Sequence, residues 1–313
     1  MNNAPIVVLG GTGFVGRHLV SQLVAEGNRV VVPTRSRERG RHLILLPTVD
    51  VVECDVHEPA TLASLVRGAA AAINLVGILN ESRPGEFDRV HVELSRKLIA
   101  ACRDGGVSRL LHMSALNADP QGLSRYLRSK GEAEALVAAS GLQWTIFQPS
   151  IIVGREDSFL NLFAKLQHLL PVIALASAGA RFQPVGVHDV ATAYVRALGE
   201  DATHGRRYPL CGPKVYTLRE LVAYVGELTG YKRPIVALGP GLSNLQARVL
   251  ERLPGKLMSR DNLASMQRDN VCDCPFPTLL GGPPAAIEAI APTYIAAATP
   301  RRRYGRIRSQ RGT

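Results

Sequence analysis

No apolar run among these 313 residues reaches the roughly eighteen that a membrane-crossing helix needs. The nearest, residues 169–180, is broken by Pro171, so a transmembrane protein is not expected. The N-terminus has no basic segment, and its apolar run reads as a strand rather than a signal peptide. Cysteine is sparse. Cys54, Cys102, Cys211, Cys272 and Cys274 are odd in number and scattered, which predicts separate buried thiols in a reducing compartment. Cys272-Asp-Cys274 lacks a second ligand pair, so no metal site is expected. No serine stands in a nucleophile elbow, and no repeat or long linker divides the chain. Aromatics are only 5% of residues, and the one tryptophan, Trp144, reads as core. Acids are missing from residues 301–313, whose six arginines supply six of the eleven net positive charges. That tail reads as a solvated end able to attract anionic lipid or an acidic partner. No nucleic-acid motif accompanies it, so no nucleic-acid partner is expected.

What is present begins at once. Ile6-Val-Val-Leu9 is a buried strand running into Gly10, Gly13 and Gly16, and a helical repeat (Val15, Leu19, Val20, Leu23) follows. Strand, glycine turn and helix in this order suit a dinucleotide. Gly10 makes the sharp turn, Gly13 admits a pyrophosphate, and Gly16 lets helix pack on strand. The anion sits at the positive end of the helix. Further apolar strands are expected at residues 29–33, 49–56, 69–76, 109–113 and 143–148, with helices between them. Such alternation predicts an α/β fold, a Rossmann-type doubly wound parallel sheet with its ligand at the strand ends. Three regions are expected: a nucleotide-binding domain at 1–150, a smaller helix-rich region docked over the site at 151–270, and a tail at 271–313. In the second region Asp189 is expected to cap a helix, and Thr217-Leu-Arg-Glu220 reads as a capping box.

Two positions sharpen the chemistry. Where an NAD-binding unit places an acid, about twenty residues past the glycines, this chain has Arg35, with Arg37, Arg39 and Arg41 nearby. An acid repels a 2′-phosphate and guanidinium pairs with it, so NADP is favoured over NAD. Asp55, at the end of the third strand, is placed to face adenine. The second position is Tyr126-Leu-Arg-Ser-Lys130, whose ends share one helix face. A lysine there lowers a tyrosine's pKa and can hold a ribose hydroxyl, leaving the tyrosine as acid or base for a carbonyl–alcohol pair. Ser114 follows the fifth strand as a third candidate. His112 reads as a hydrogen-bonded core histidine and His188 as a capping or packing residue.

At these residues the chain resembles the extended and atypical short-chain dehydrogenase/reductase superfamily. Gly10-Gly-Thr-Gly-Phe-Val-Gly16, Arg35, Asp55-Val56, Leu75-Val-Gly77, Tyr126-x-x-x-Lys130 and Pro149-Ser150 match it in order. Arg125-Tyr-Leu-Arg-Ser-Lys130 with Gly154-Arg-Glu-Asp157, Phe159-Leu-Asn161 and Gln183-Pro-Val185 narrows the likeness. It is similar to the NADPH-binding accessory subunits of mitochondrial complex I and their bacterial relatives, from about Pro5 to Asp269. The resemblance implies NADPH, with Gly10, Thr12, Gly13, Phe14, Val15 and Gly16 on the pyrophosphate and Arg35 and Ser36 on the 2′-phosphate. It places Asp55 and Val56 on the adenine and Leu75, Val76 and Gly77 on the ribose side. Tyr126, Lys130, Pro149, Ser150 and Ile151 would flank the nicotinamide. The family's serine or threonine lies slightly deeper in the loop, where this chain has Ala115 or Leu116. Two functions stay open: an NADPH-dependent oxidoreductase acting on an apolar carbonyl or quinone-like molecule, and a structural or redox-sensing NADPH-binding subunit of a larger complex. A cytoplasmic location, at most peripheral to the inner membrane, is expected.

Overall fold

The computed structural model describes residues 4–252 and 257–296. The arginine-rich stretch 301–313 therefore lies outside the described residues. Seven strands form one parallel sheet. Six are β1 (Ile6–Leu9), β2 (Val30–Thr34), β3 (Val49–Glu53), β4 (Ala71–Asn74), β5 (Arg109–Met113) and β6 (Gln143–Pro149). The seventh, Arg206–Leu210, lies beside β6, and the order from that edge is seventh-β6-β5-β4-β1-β2-β3. Strand order therefore reverses between β1 and β4, which opens a crevice at their carboxyl ends.

Every residue of β1 and β4 is buried, as a parallel strand covered on both faces requires. On one face pack the helices α2 (Pro59–Val66), α3 (Leu94–Asp104) and α4 (Arg125–Ala138). Leu62, Val66, Leu94, Leu98 and Val137 meet Val7, Leu9, Ala72, Leu110 and Ile146 there. On the other face α1 (Phe14–Ala25) pairs with the helix Val187–Leu198. The Gln22 amide donates to His188 O (3.3 Å) and accepts from the Thr192 hydroxyl (3.2 Å). Asp189 falls in the first turn of Val187–Leu198 and not at its cap, because the helix begins three residues earlier than a cap at Asp189 implies. Trp144 is only half-buried, with the Arg207 guanidinium over its ring, because β6 is covered by one strand near the sheet's edge.

The chain forms two compact units. Among the described residues, the first contains 4–149, 187–210 and 277–282, and the second 150–186, 211–252, 257–276 and 283–296. The second has its own core of Leu160, Phe163, Leu175, Phe182, Leu221 and Val222. Thr217 and Glu220 form the expected capping box at the start of Leu218–Thr229. Asp157, 3% exposed, is held by the Leu160 N–H (2.7 Å), the Gly154 N–H (3.1 Å) and the Tyr294 hydroxyl.

The expectation of five separate thiols is corrected here. Cys211 and Cys272, 61 positions apart, form a disulfide, while Cys102 is buried and Cys274 exposed. Gln183 explains how they meet. Its amide nitrogen donates to Gly212 O (2.7 Å), and its side-chain oxygen accepts the Cys272 N–H (3.0 Å). Both cysteine segments are thereby pinned to one residue.

Candidate functional site

The crevice is built from backbone first. Gly10 turns with φ +80°, a region that L side chains avoid, and a Cβ there would lie 3.0 Å from Leu75 C and 3.1 Å from Val76 N. The loop after β1 therefore lies directly on the loop after β4. Gly13 caps α1 with no side-chain hydrogen bond, and the first turn carries no acid. An uncapped, acid-free and exposed helix start offers its N–H groups to an anion. Thr12, Phe14 and Val15 share this turn.

At the end of β2, Arg35 is exposed and Ser36 half-buried. Arg41 is paired with Glu38 (2.7 Å) and Arg29 with Asp50 (2.9 Å). Among the described residues the guanidiniums of Arg35, Arg37 and Arg39 have no ion pair. Asp55 is exposed beyond β3, and its Oδ1 accepts the His57 N–H (2.9 Å); Val56 is half-buried beside it.

The loop after β4 joins the nucleotide side to α4. Lys130 is 4% exposed and donates to Met113 O (3.1 Å), and a Cβ on Gly77 would lie 3.0 Å from its Nζ. Burial lowers the lysine's pKa to about 8, partly offset by Glu134. Tyr126 stands one turn earlier, half-buried, its ring edge-on to Phe87 and His91. Ser124 starts this helix by accepting the Leu127 N–H (3.1 Å). The expectation that lysine lowers the tyrosine's pKa is corrected. Desolvation in the packed crevice pushes the Tyr126 phenol up to about 12, while the Lys130 ammonium is held by Met113 O (3.1 Å). Tyr126 is thus a neutral acid at ordinary pH.

Ser114 is 3% exposed, and its hydroxyl is a buried atom without a protein partner. Ala115 and Leu116, each 8% exposed, are apolar neighbours in the same loop. Pro149 closes β6, and its carbonyl accepts the Leu116 N–H (3.0 Å). Ser150 and Ile151 belong to the second unit. There the Ser150 hydroxyl donates to Asn270 O (3.1 Å), and Ile151 O accepts the Val185 N–H (2.9 Å).

A residue that sequence reasoning passed over ties this together. Asp88–Glu93 is a π-helical segment leading into α3, and it delivers His91, 2% exposed, into the crevice wall. The Ser129 hydroxyl donates to Tyr126 O (2.9 Å), so it accepts from His91 Nδ1 (2.8 Å); His91 Nε2 accepts the Ile78 N–H (3.1 Å). Both ring positions are satisfied only by a neutral imidazole. Burial and the Lys130 charge lower its pKa to about 2. His112, also 2% exposed, faces the Asn74 amide through Nδ1 (3.3 Å), and Asn74 Oδ1 accepts the Val76 N–H (3.1 Å). Burial and Lys130 take the His112 pKa down to about 3. The visible clues were a polar Asn74 ending an apolar strand and the serine inside Tyr126-x-x-Ser-Lys130.

The α1 start without a side-chain cap, the unpartnered Ser114 hydroxyl and the exposed Gly77 closely backed by Lys130 fit a dinucleotide. Residues 10–163 match the family described as NAD(P)H-binding. The NADH dehydrogenase [ubiquinone] 1 alpha subcomplex subunit 9, mitochondrial, of Arabidopsis thaliana is 37% identical, across 71% of this chain and 57% of that protein. The chain thus spans less than two thirds of that relative. The NADH-ubiquinone oxidoreductase 40 kDa subunit, mitochondrial, of Neurospora crassa is 29% identical over 92% of this chain and 78% of its own length. In fold, a nucleoside-diphosphate-sugar epimerase from Staphylococcus aureus superposes with a TM-score of 0.71 at 17% identity, covering 93% of this chain and 99% of that one.

Proposed function

We propose that this chain, an NAD(P)H-binding protein of the epimerase/dehydratase-like group, holds NADP(H) and reduces an apolar carbonyl or quinone-like small molecule. The observation that carries this is the buried Lys130 ammonium against Gly77, with the neutral Tyr126 one turn away. The N–H groups of Phe14 and Val15 take the pyrophosphate, with Gly10, Thr12, Gly13 and Gly16 shaping the turn, where the Gly13 N–H donates to Gly10 O (2.9 Å). Arg35 and Ser36 take the 2′-phosphate, Asp55 and Val56 the adenine, and Leu75, Val76 and Gly77 the ribose side. When bound, the nicotinamide supplies a hydride. Tyr126 gives its phenolic proton to the carbonyl oxygen, and the Lys130 ammonium stabilises the phenolate left behind. The Ser114 hydroxyl, otherwise unsatisfied, donates to the same substrate oxygen.

Two substitutions test this reading. Arg35→Ser is expected to weaken NADPH binding by about tenfold to a hundredfold, the worth of a charge-assisted hydrogen bond, while leaving NADH within a few fold in calorimetry. Equal losses for the two nucleotides would assign Arg35 no role at the 2′-phosphate. Tyr126→Phe is expected to lower NADPH-dependent turnover about a hundredfold with nucleotide affinity kept. Unchanged turnover would remove the tyrosine from the reaction.

A second reading is a structural or redox-sensing NADPH-binding subunit of a respiratory complex, held there in part through the basic stretch 301–313. The length of the match to the Neurospora crassa subunit favours it, as do the apolar Ala115 and Leu116. A nucleotide that copurifies and stays reduced across a panel of carbonyls and quinones would select this reading. No described helix is long and apolar enough to cross a membrane.

A further inference from the structure

We infer that the helix Pro240–Leu250 of the second unit lies in the plane of an anionic lipid surface. Leu242, Leu245 and Val249 are 59%, 57% and 52% exposed, and their i, i+3, i+7 spacing puts them on one outward stripe. The inward side is already occupied: Ser243 and Ala247 are buried, and Ala247 packs with Ala176, Leu263 and Met258. The outer stripe is therefore surplus to the unit's own core. It also has a neighbour. The Gln246 amide donates to Ala174 O (2.9 Å), tying the helix to the strand Ile173–Leu175, whose partner Ile235–Ala237 turns out Val236, 51% exposed. A stripe of exposed apolar side chains on one helix face marks an interaction site.

Charge decides the partner. At 100° per residue, exposed Arg252 falls beside Leu245 and Val249, and exposed Arg248 one step further round. The helix contains no acid, and Glu251 at its end is bound to Arg260 (2.9 Å). An apolar stripe edged by cations suits leucines entering the headgroup layer while guanidiniums reach phosphates. A second copy docked face to face would oppose arginine with arginine. Eleven residues span about 16 Å, far short of the roughly 30 Å hydrocarbon layer, so the helix lies flat. This inference is independent of which nucleotide the first unit holds.

The test uses the full chain carrying Trp144→Phe and Leu245→Trp, so that one indole reports the stripe. With vesicles of equimolar phosphatidylcholine and phosphatidylglycerol, blue-shifted emission and quenching by acyl-brominated lipid are expected. Phosphatidylcholine alone should give neither. Adding Leu242→Ser and Val249→Ser should weaken partitioning about tenfold or more, with circular dichroism unchanged. Flotation with unchanged emission would overturn the inference, by assigning attachment to the arginine-rich stretch 301–313. A lipid-independent shift that follows protein concentration would overturn it in favour of a second copy, and absence of binding would overturn it outright.

Discussion

Gly16→Ala is expected to destabilise the first unit by about 3 kcal/mol or more and to weaken nucleotide binding roughly a hundredfold. A Cβ at this position would lie 2.3 Å from Gly10 O, 2.5 Å from Gly11 Cα and 2.6 Å from Gly11 C. All three are backbone atoms of the turn itself, so no rotamer change relieves the overlap. α1 must lift from the turn, and its N–H groups leave the position in which they meet an anion. Gly27→Ala is the matched control. It has φ +79° but nothing within 4 Å of an added Cβ, so it should cost only about 1 kcal/mol of backbone strain and leave binding intact. Urea unfolding and nucleotide titration of the two variants give the comparison. Similar losses in both would mean that conformation at glycine, and not the closeness of helix and turn, is what the motif protects.

Acid should unfold the first unit steeply, through His91 and His112. Each has its folded pKa depressed below 6.5, to about 2 and about 3, so the unfolded chain binds protons that the folded one refuses. Stability is therefore full above pH 6.5 and is lost as pH falls towards 3. Each histidine contributes a slope of about 1.4 kcal/mol per pH unit, and the two together about 5 kcal/mol between pH 6.5 and 4.5. The geometry gives the reason. A proton on His91 would have to sit on Nε2, which accepts the Ile78 N–H, and one on His112 Nδ1 would confront the Asn74 amide. Denaturant midpoints measured from pH 7.5 to 4.5 should flatten by about one histidine's slope in His91→Asn and again in His112→Asn. An unaltered slope in both would place the acid sensitivity elsewhere.

Much of this architecture was legible in residue order because the first half obeys local rules. β1 runs straight into its glycine turn, and β2 to β6 lie within a few residues of their apolar runs. The seventh strand was not legible. Arg206-Arg-Tyr-Pro-Leu210 has no apolar run and includes Pro209, tolerable only because this strand is at the sheet's edge. Within the site, Tyr126 and Lys130 could be read from their spacing, but the sign of the tyrosine's shift could not, since burial is a property of the packed molecule. His91 was hidden because π and α segments share nearly the same apolar pattern. The Cys211–Cys272 bond was hidden for another reason. Its partners are selected by Gln183, a polar residue distant from both in sequence.

That bond makes the endurance of the second unit a function of its chemical surroundings. Crosslinking residues 61 positions apart removes about 4 kcal/mol worth of disorder from the unfolded chain. A strongly reducing milieu would withdraw that contribution from one unit and leave the sheet of the other untouched, so the two halves of one polypeptide answer to different solution variables, one to electrons and the other to protons.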